Sequence, residues 1–287
     1  MMMNDKIRDQ AQPLRELVNR NTNKTKVITV ASGKGGVGKS SISVNLALAL
    51  RALNLRVLVI DADFGLANVD VMLGTSSRYN MSHILRGEKT LEEIIQEGYN
   101  GVRFISGGSG IYELLEMDGE QVGAVMGSLM AVRNLADIIL FDLGAGINEN
   151  IMQLILASSE TIVVTTPEPT AILDAYALIK TIIKKDNAHT IRFIMNKSEN
   201  KREAENAMSG FQKVIHRHLN VDIEALGHVL FDGDISKSIK QQTPILISQP
   251  NGATARNINA IAQRLLYLPS NPAAQNNLSK LFARWLG

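Results

Sequence analysis

The clearest chemistry in this chain lies in the run Gly33-Lys34-Gly35-Gly36-Val37-Gly38-Lys39-Ser40. It fits G-x-x-x-x-G-K-[ST], the spacing of a loop that cradles phosphate, and it falls between a strand pattern and a helix pattern. Each residue type has a reason. Glycines let backbone N–H groups turn inward as an anion nest. The helix that follows points its positive end at the phosphates. Lys39 reaches the β- and γ-phosphates, and the Ser40 hydroxyl is a ligand for Mg²⁺. Ser41, next along the chain, belongs to the same candidate nucleotide-binding set.

Carboxylates complete such a site. Asp61 and Asp63 follow the apolar run RVLVID, and Asp142 ends DIILFD. Acids at the carboxyl ends of strands in an open α/β sheet face the ligand crevice. Asp142 therefore reads as a Walker B carboxylate, binding Mg²⁺ directly or through water. Asn196 closes IRFIMN, where its amide can both donate to and accept from a base edge. The run Asn196-Lys197-Ser198-Glu199 is close to the guanine-reading N-K-x-D, but glutamate replaces the aspartate, which favours ATP over GTP. Asp232 and Asp234 follow the next strand pattern. On residue type alone Lys34 is equally a solvated loop lysine.

Positioning these groups requires a particular fold. Short β-branched runs occur at 26–32, 56–61, 101–106, 137–142, 161–166, 191–196 and 225–231. They read as strands buried on both faces. Helical stretches lie between them, such as Ile172, Ala175, Ile179, Ile182 and Ile183 on one face. The alternation predicts a three-layer α/β fold, a mostly parallel central sheet with helices on both faces. Residues 26–268 form this domain. Residues 1–25 read as a separate N-terminal segment and linker, and 269–287 as a spacer and amphipathic helix.

Composition narrows the function. The chain has 287 residues, a net charge of +2, 45% hydrophobic residues and no cysteine. No strong electrostatic attraction to nucleic acid follows from that balance. Without cysteine there are no disulfides, thiolate metal sites or cysteine nucleophiles. No apolar run approaches about 18 residues, so no transmembrane helix is predicted, and the N-terminus lacks a signal-peptide core. The expected location is the cytoplasm. The histidines, His216 and His218 among them, lack metal spacing, and the methionines read as core filling.

The second lysine of the loop, in K-G-G-V-G-K-S, makes residues 26–266 resemble the deviant Walker A ATPases. That resemblance implies a dimer with ATP/ADP and Mg²⁺ at its centre. Lys34 would cross to the partner's phosphates as a catalytic cation. Asp63 would position the attacking water, Asp61 would support the metal shell, and Gly144-Ala145-Gly146 would be the second switch. Adenine would lie by Asn196, with Asp232 or Asp234 near base or ribose, and Phe231 stands where relatives often carry proline. Missing cysteine excludes the iron–sulfur members of the class. A ParA-like DNA-positioning ATPase and a MinD-like membrane ATPase remain.

The tail favours the second. Leu278, Leu281, Phe282, Trp285 and Leu286 fall at i, i+3, i+4, i+7 and i+8, with Lys280 and Arg284 opposite. That is the composition of an interfacial helix. A helix packed permanently against the core has the same amphipathicity. The segment Asp9-Gln10-Ala11-Gln12-Pro13-Leu14-Arg15 and the run 165–180, TTPEPTAILDAYALIK, resemble the FlhG family of MinD-like flagellar regulators. The resemblance implies stimulation of the flagellar FlhF GTPase by the N-terminal segment and contact with C-ring switch proteins. It also implies peripheral attachment to the inner face of the cell membrane when ATP is bound. On composition alone, residues 1–20 also fit a disordered tail.

Overall fold

The computed structural model describes residues 25–63, 68–107 and 135–268. The readings placed on Asp9–Arg15 and on Leu278–Leu286 lie outside the described residues.

Strand β1 (Lys26–Ser32) runs through the glycine loop into helix α1 (Lys39–Ala52), which returns to β2 (Val57–Ala62). Short helices α2 (Val69–Met72), α3 (Met81–Leu85) and α4 (Leu91–Ile94) follow, then strands β3 (Gln96–Glu97) and β4 (Arg103–Ile105). The alternation resumes with β5 (Ile138–Ala145), α5 (Glu149–Ala157), β6 (Glu160–Thr165) and α6 (Pro169–Lys185). It continues through β7 (Ile191–Ser198), α7 (Lys201–Leu219) and β8 (Glu224–Leu230). Helices α8 (Gly233–Lys240), α9 (Ile245–Ser248) and α10 (Ala253–Tyr267) end the described chain.

Local chemistry sets these boundaries. Asn148 and Asn200 cap α5 and α7, their side chains accepting from Ile151 N–H and Glu203 N–H at 2.8 and 2.9 Å. Pro169 opens α6, where its missing N–H costs nothing. Asn220, at φ 54°, ends α7 in the left-handed conformation.

The sheet order is β3-β4-β2-β5-β1-β6-β7-β8. All pairings are parallel except β3 with β4. Each strand read from the sequence is present: β1 keeps both its ends, and no strand end moves by more than three residues. The edge strand β3 has no counterpart in that reading, because two residues are too short to show a period.

Two cores follow from the pleat. On one face Val27, Ala31, Leu58, Ile139 and Phe193 pack under α5, α6 and α7. On the other, Ile28, Val30, Val59, Leu140 and Ile194 pack under α1 and α10. Alternation within β1 sends Val27 one way and Ile28 the other, as a period of two requires. The structure is the three-layer arrangement expected from the sequence.

The amino ends of the strands carry a buried ionic cluster. Arg192 donates to Glu160, both almost fully buried, and to Glu224 at 3.2 Å. Lys26 lies 3.1 Å from the other Glu160 oxygen. These groups open β7, β6, β8 and β1, so the cluster ties neighbouring strands in register at the edge away from the glycine loop. Removing one member leaves a buried charge uncompensated. Glu160→Ala should therefore lower unfolding free energy by about 3–5 kcal/mol. Urea denaturation checks this, and a loss below about 1 kcal/mol, the range of exposed pairs, would contradict it.

Candidate functional site at the C-terminal edge of the sheet

The opposite edge of the sheet is different. Ser32 Oγ, Asp142 Oδ2, Thr165 Oγ1, Thr166 Oγ1, Asn196 Oδ1 and Ser198 Oγ are buried and have no protein partner. All lie at or near the carboxyl ends of β1, β5, β6 and β7. Buried polar atoms without partners cost free energy, and convergence of so many marks a place built for a ligand. A cavity of about 490 Å³ opens here, lined by Gly36, Lys39, Ser40, Asp63, Asn196 and Phe231 among others. That volume is in the range of small-molecule and cofactor sites.

The glycine loop forms its floor. Gly36 and Gly38 have φ of 78° and 90°, conformations that side chains disfavour. Gly38 is also the N-cap of α1, so the loop turns directly into the helix. Close packing reserves two further positions for glycine. A Cβ on Gly33 would come within 2.3 Å of the Asp174 backbone in α6, and one on Gly38 within 2.3 Å of Asn196 Nδ2. No acid occupies the first turn of α1, which leaves its positive end for an external anion.

Lys39 is only 6% exposed, and its Nζ lies 2.9 Å from Asp142 Oδ1. The same ammonium is 3.2 Å from Ser40 Oγ and 3.9 Å from Asp63 Oδ2. Ser43, one helical turn after Lys39, donates to Asp142 Oδ1 at 2.7 Å. Its spacing of four residues from Lys39 is a sequence signal for this contact, because i and i+4 share a helix face. Asp142 is thus fixed through one oxygen, and the other is buried and unpaired. Ser40 and Asp142 fit an Mg²⁺ site of the kind that uses few protein ligands and takes the rest from phosphates and water. Among the described residues no cluster of three or more His, Cys, Asp or Glu side chains is arranged to hold a metal.

Asp61 stands beside Asp142 in register across β2 and β5. Its oxygens accept from the N–H groups of Asp63, Asn68 and Val69 at 3.0, 2.9 and 3.1 Å. It therefore ties the backbone of Asp63 to that of Asn68 and Val69, and Asp63 itself is partly exposed and lines the cavity. Gly144 lies against Asp63, whose Oδ1 would be 3.4 Å from a Cβ there, and Gly146 N–H donates to Ser32 O at 2.9 Å. The run 144–146 thus borders both Asp63 and the start of the loop.

Asn196 Nδ2 donates one hydrogen to the Val37 carbonyl at 2.8 Å, and its buried acceptor oxygen has no protein partner. Asp232 caps α8, accepting from Asp234 N–H at 2.9 Å and from Thr254 Oγ1 at 2.7 Å. Phe231 is 68% exposed at the mouth of the cavity. Lys34 is apart from the buried cluster. Its Nζ donates to Thr170 Oγ1 at 2.8 Å and to Glu168 Oε2 at 3.2 Å, at the start of α6. Sequence reasoning missed Glu168 and Thr170 as partners, because only the fold brings residues 134 and 136 positions away beside the loop.

Burial, with the neighbouring Asp142 charge second, pushes the Asp61 carboxyl up to about 6. Three backbone N–H groups oppose that rise by favouring the ionised form. Asp142→Asn removes the repelling charge, so the Asp61 pKa should fall below about 6. Carboxyl ¹³C NMR titration reads it directly, and an unchanged or higher value would mean that the two carboxylates do not interact.

Comparison with known proteins places this geometry. A ParA family model, described as NUBPL iron-transfer P-loop NTPase, matches residues 23–266. The antiactivator FleN of Pseudomonas aeruginosa is 33% identical over 222 residues, covering 77% of this chain and 79% of that protein. The flagellum site-determining protein YlxH of Helicobacter pylori is 34% identical over 247 residues, covering 86% and 83%. Among solved structures, the septum site-determining protein MinD complexed with Mg-ADP from Pyrococcus horikoshii superposes with a TM-score of 0.69 at 25% identity. The match covers 84% of this chain and 96% of that one.

Proposed function

This chain belongs to the ParA/MinD family of P-loop NTPases, in the branch that contains FleN and YlxH, and on that premise we propose that it is a slow ATPase whose nucleotide state sets its assembly. The observation that carries the reading is the meeting of Lys39 with Asp142 and Asp63 beside the glycine loop, under a set of buried polar atoms awaiting partners. In this proposal the backbone N–H groups of Gly33–Ser41 and the Lys39 ammonium bind the phosphates. Ser40 and Asp142 would hold Mg²⁺, which would supply charge neutralisation for the phosphates. Asp63 orients the attacking water, and Asp61 keeps Asp63 in place.

Lys34 supplies the switch. It rests on Glu168 and Thr170 of its own chain, away from the buried cluster. In the dimer it crosses to the partner's phosphates, so both subunits contact one γ-phosphate and ATP favours association. Hydrolysis removes that contact and restores the monomer. Catalysis then depends on dimerisation, as it does on an arginine finger supplied in trans.

The assembly has a place to act. The Leu278, Leu281, Phe282 and Trp285 stripe is proposed to bind lipid, and dimerisation doubles it, converting weak into stable attachment by avidity. Attachment through that stripe is proposed to be peripheral; among the described residues no helix is long and apolar enough to cross a membrane. FleN is named an antiactivator and YlxH a flagellum site-determining protein. The proposal for this chain is control of flagellar number and placement. Asp9–Arg15 would stimulate the FlhF GTPase, and C-ring switch proteins would be further partners.

Gel filtration of Asp63→Ala tests the switch. This variant should bind ATP without turnover, elute as a dimer with ATP and as a monomer with ADP. Adding Lys34→Ala should abolish the dimer while leaving ADP affinity within about twofold of the parent, because a trans contact contributes nothing to the monomer. A monomer in both nucleotides contradicts the switch, and a large loss of ADP affinity places Lys34 in its own subunit's site. The same dimer should pellet with anionic liposomes and lose that property on deletion of 278–287. Pelleting with DNA instead would favour a ParA-like positioning role.

A further inference from the structure

The end of β7 does something to the glycine loop that base recognition does not require. Two consecutive residues there each hold a consecutive loop carbonyl. Lys197 Nζ donates to Gly36 O at 2.7 Å, and Asn196 Nδ2 donates to Val37 O at 2.8 Å. Lys197 has φ 56°, a left-handed conformation rare for a side chain of this kind, and Phe231 N–H holds the next strand residue, Ser198, through its carbonyl at 2.7 Å. The β7 end is thus itself fixed while its two side chains grip the loop.

A trans peptide is planar, with its C=O and the following N–H pointing in opposite directions, and no described peptide bond is cis. Holding the Gly36 carbonyl aims the Val37 N–H the other way. Holding the Val37 carbonyl does the same for the Gly38 N–H. Gly36 and Gly38 have positive φ and no side chain, so nothing intrinsic to them fixes the intervening planes. We infer that Asn196 and Lys197 are positioning residues for phosphate: they orient the peptide planes 36–37 and 37–38 so that the Val37 and Gly38 N–H groups face the anion before it arrives.

This deepens the nucleotide-binding reading above and rests on it. It also gives the dipeptide a role that does not involve the base. One Asn196 Nδ2 hydrogen is used on Val37, and the buried Oδ1 has no protein partner. The Lys197 ammonium commits one of its three donors to Gly36. A preorganised nest binds more tightly because less orientation entropy is lost on binding.

The test separates phosphate positioning from base reading. Inorganic tripolyphosphate and ADP, each with Mg²⁺, are titrated calorimetrically into the full chain and into Lys197→Met. Lys197 is on the surface, so the variant should fold, and circular dichroism verifies it. Losing a charge-assisted hydrogen bond should weaken both ligands by the same factor, roughly tenfold. Lys197→Arg, which keeps the donor, should recover most of it. The factor should persist between about 0.1 and about 1 M salt, where the Debye length falls from about 10 to about 3 Å and long-range charge effects vanish. Asn196→Ala should likewise weaken tripolyphosphate.

Unchanged tripolyphosphate affinity in Lys197→Met overturns the inference, as does weakening confined to ADP, which would make Lys197 a base or ribose contact. A factor that collapses at high salt also overturns it, since charge alone would then explain the loss. If the unmodified chain binds neither ligand, the nucleotide reading itself fails.

Discussion

A buried ammonium must be paired, and the placement of Lys39 depends on that requirement. It starts α1, points into the sheet edge and meets Asp142, whose side chain is fully buried. This contact demands that β1 and β5 be neighbours, that the glycine loop be short, and that α1 enter with its amino end toward the cavity. The sheet order places β1 between β5 and β6, and the loop leaves β1 at the centre of the carboxyl edge. Asp61 follows from the same constraint. It sits next to Asp142 in register, so burial and then the like charge raise its pKa, while the N–H groups of Asp63, Asn68 and Val69 satisfy its oxygens.

The two edges of the sheet are opposite solutions to one problem, the burial of polar groups. At the amino edge Lys26, Glu160, Arg192 and Glu224 are paired with one another across β1, β6, β7 and β8. That pairing serves the fold and offers nothing to a ligand. At the carboxyl edge hydroxyls, an amide oxygen and a carboxylate oxygen are buried without protein partners. The chain tolerates their cost at the one edge where a helix amino terminus and a glycine loop converge. The paired charges lie at one end of the strands and most of the partnerless buried polar atoms at the other. Phe231, an exposed aromatic beside the cavity, belongs to the binding end too.

Much of this was legible in the sequence. The strands declare themselves because parallel strands covered on both faces are continuous apolar runs, and the loop declares itself by glycines followed by Lys39 and Ser40. Asp142 and Asp63 follow from strand ends. Contacts between distant residues were not legible. Lys34 rests on Glu168 and Thr170, and Lys197 grips Gly36, only because β1, β6 and β7 lie side by side. The amino-edge cluster was hidden for another reason. Glu160 and Arg192 sit at strand starts, where a charged residue looks like the end of an apolar run, yet both are buried in the fold. Its place at a strand end makes Asn196 a candidate site residue, but the loop carbonyl that takes its amide cannot be inferred from spacing.

The central claim is that the Lys39–Asp142 contact stands where phosphate and metal are received. A crystal structure of the chain with Mg²⁺ and ADP tests it most directly. The account predicts that Lys39 Nζ leaves Asp142 Oδ1 for the β-phosphate, that the Val37 and Gly38 N–H groups lie within hydrogen-bond distance of the same phosphate, and that Asp142 turns to the metal or its water. An ADP bound elsewhere, or bound with the 2.9 Å Lys39–Asp142 contact intact and no phosphate on the loop, would contradict it.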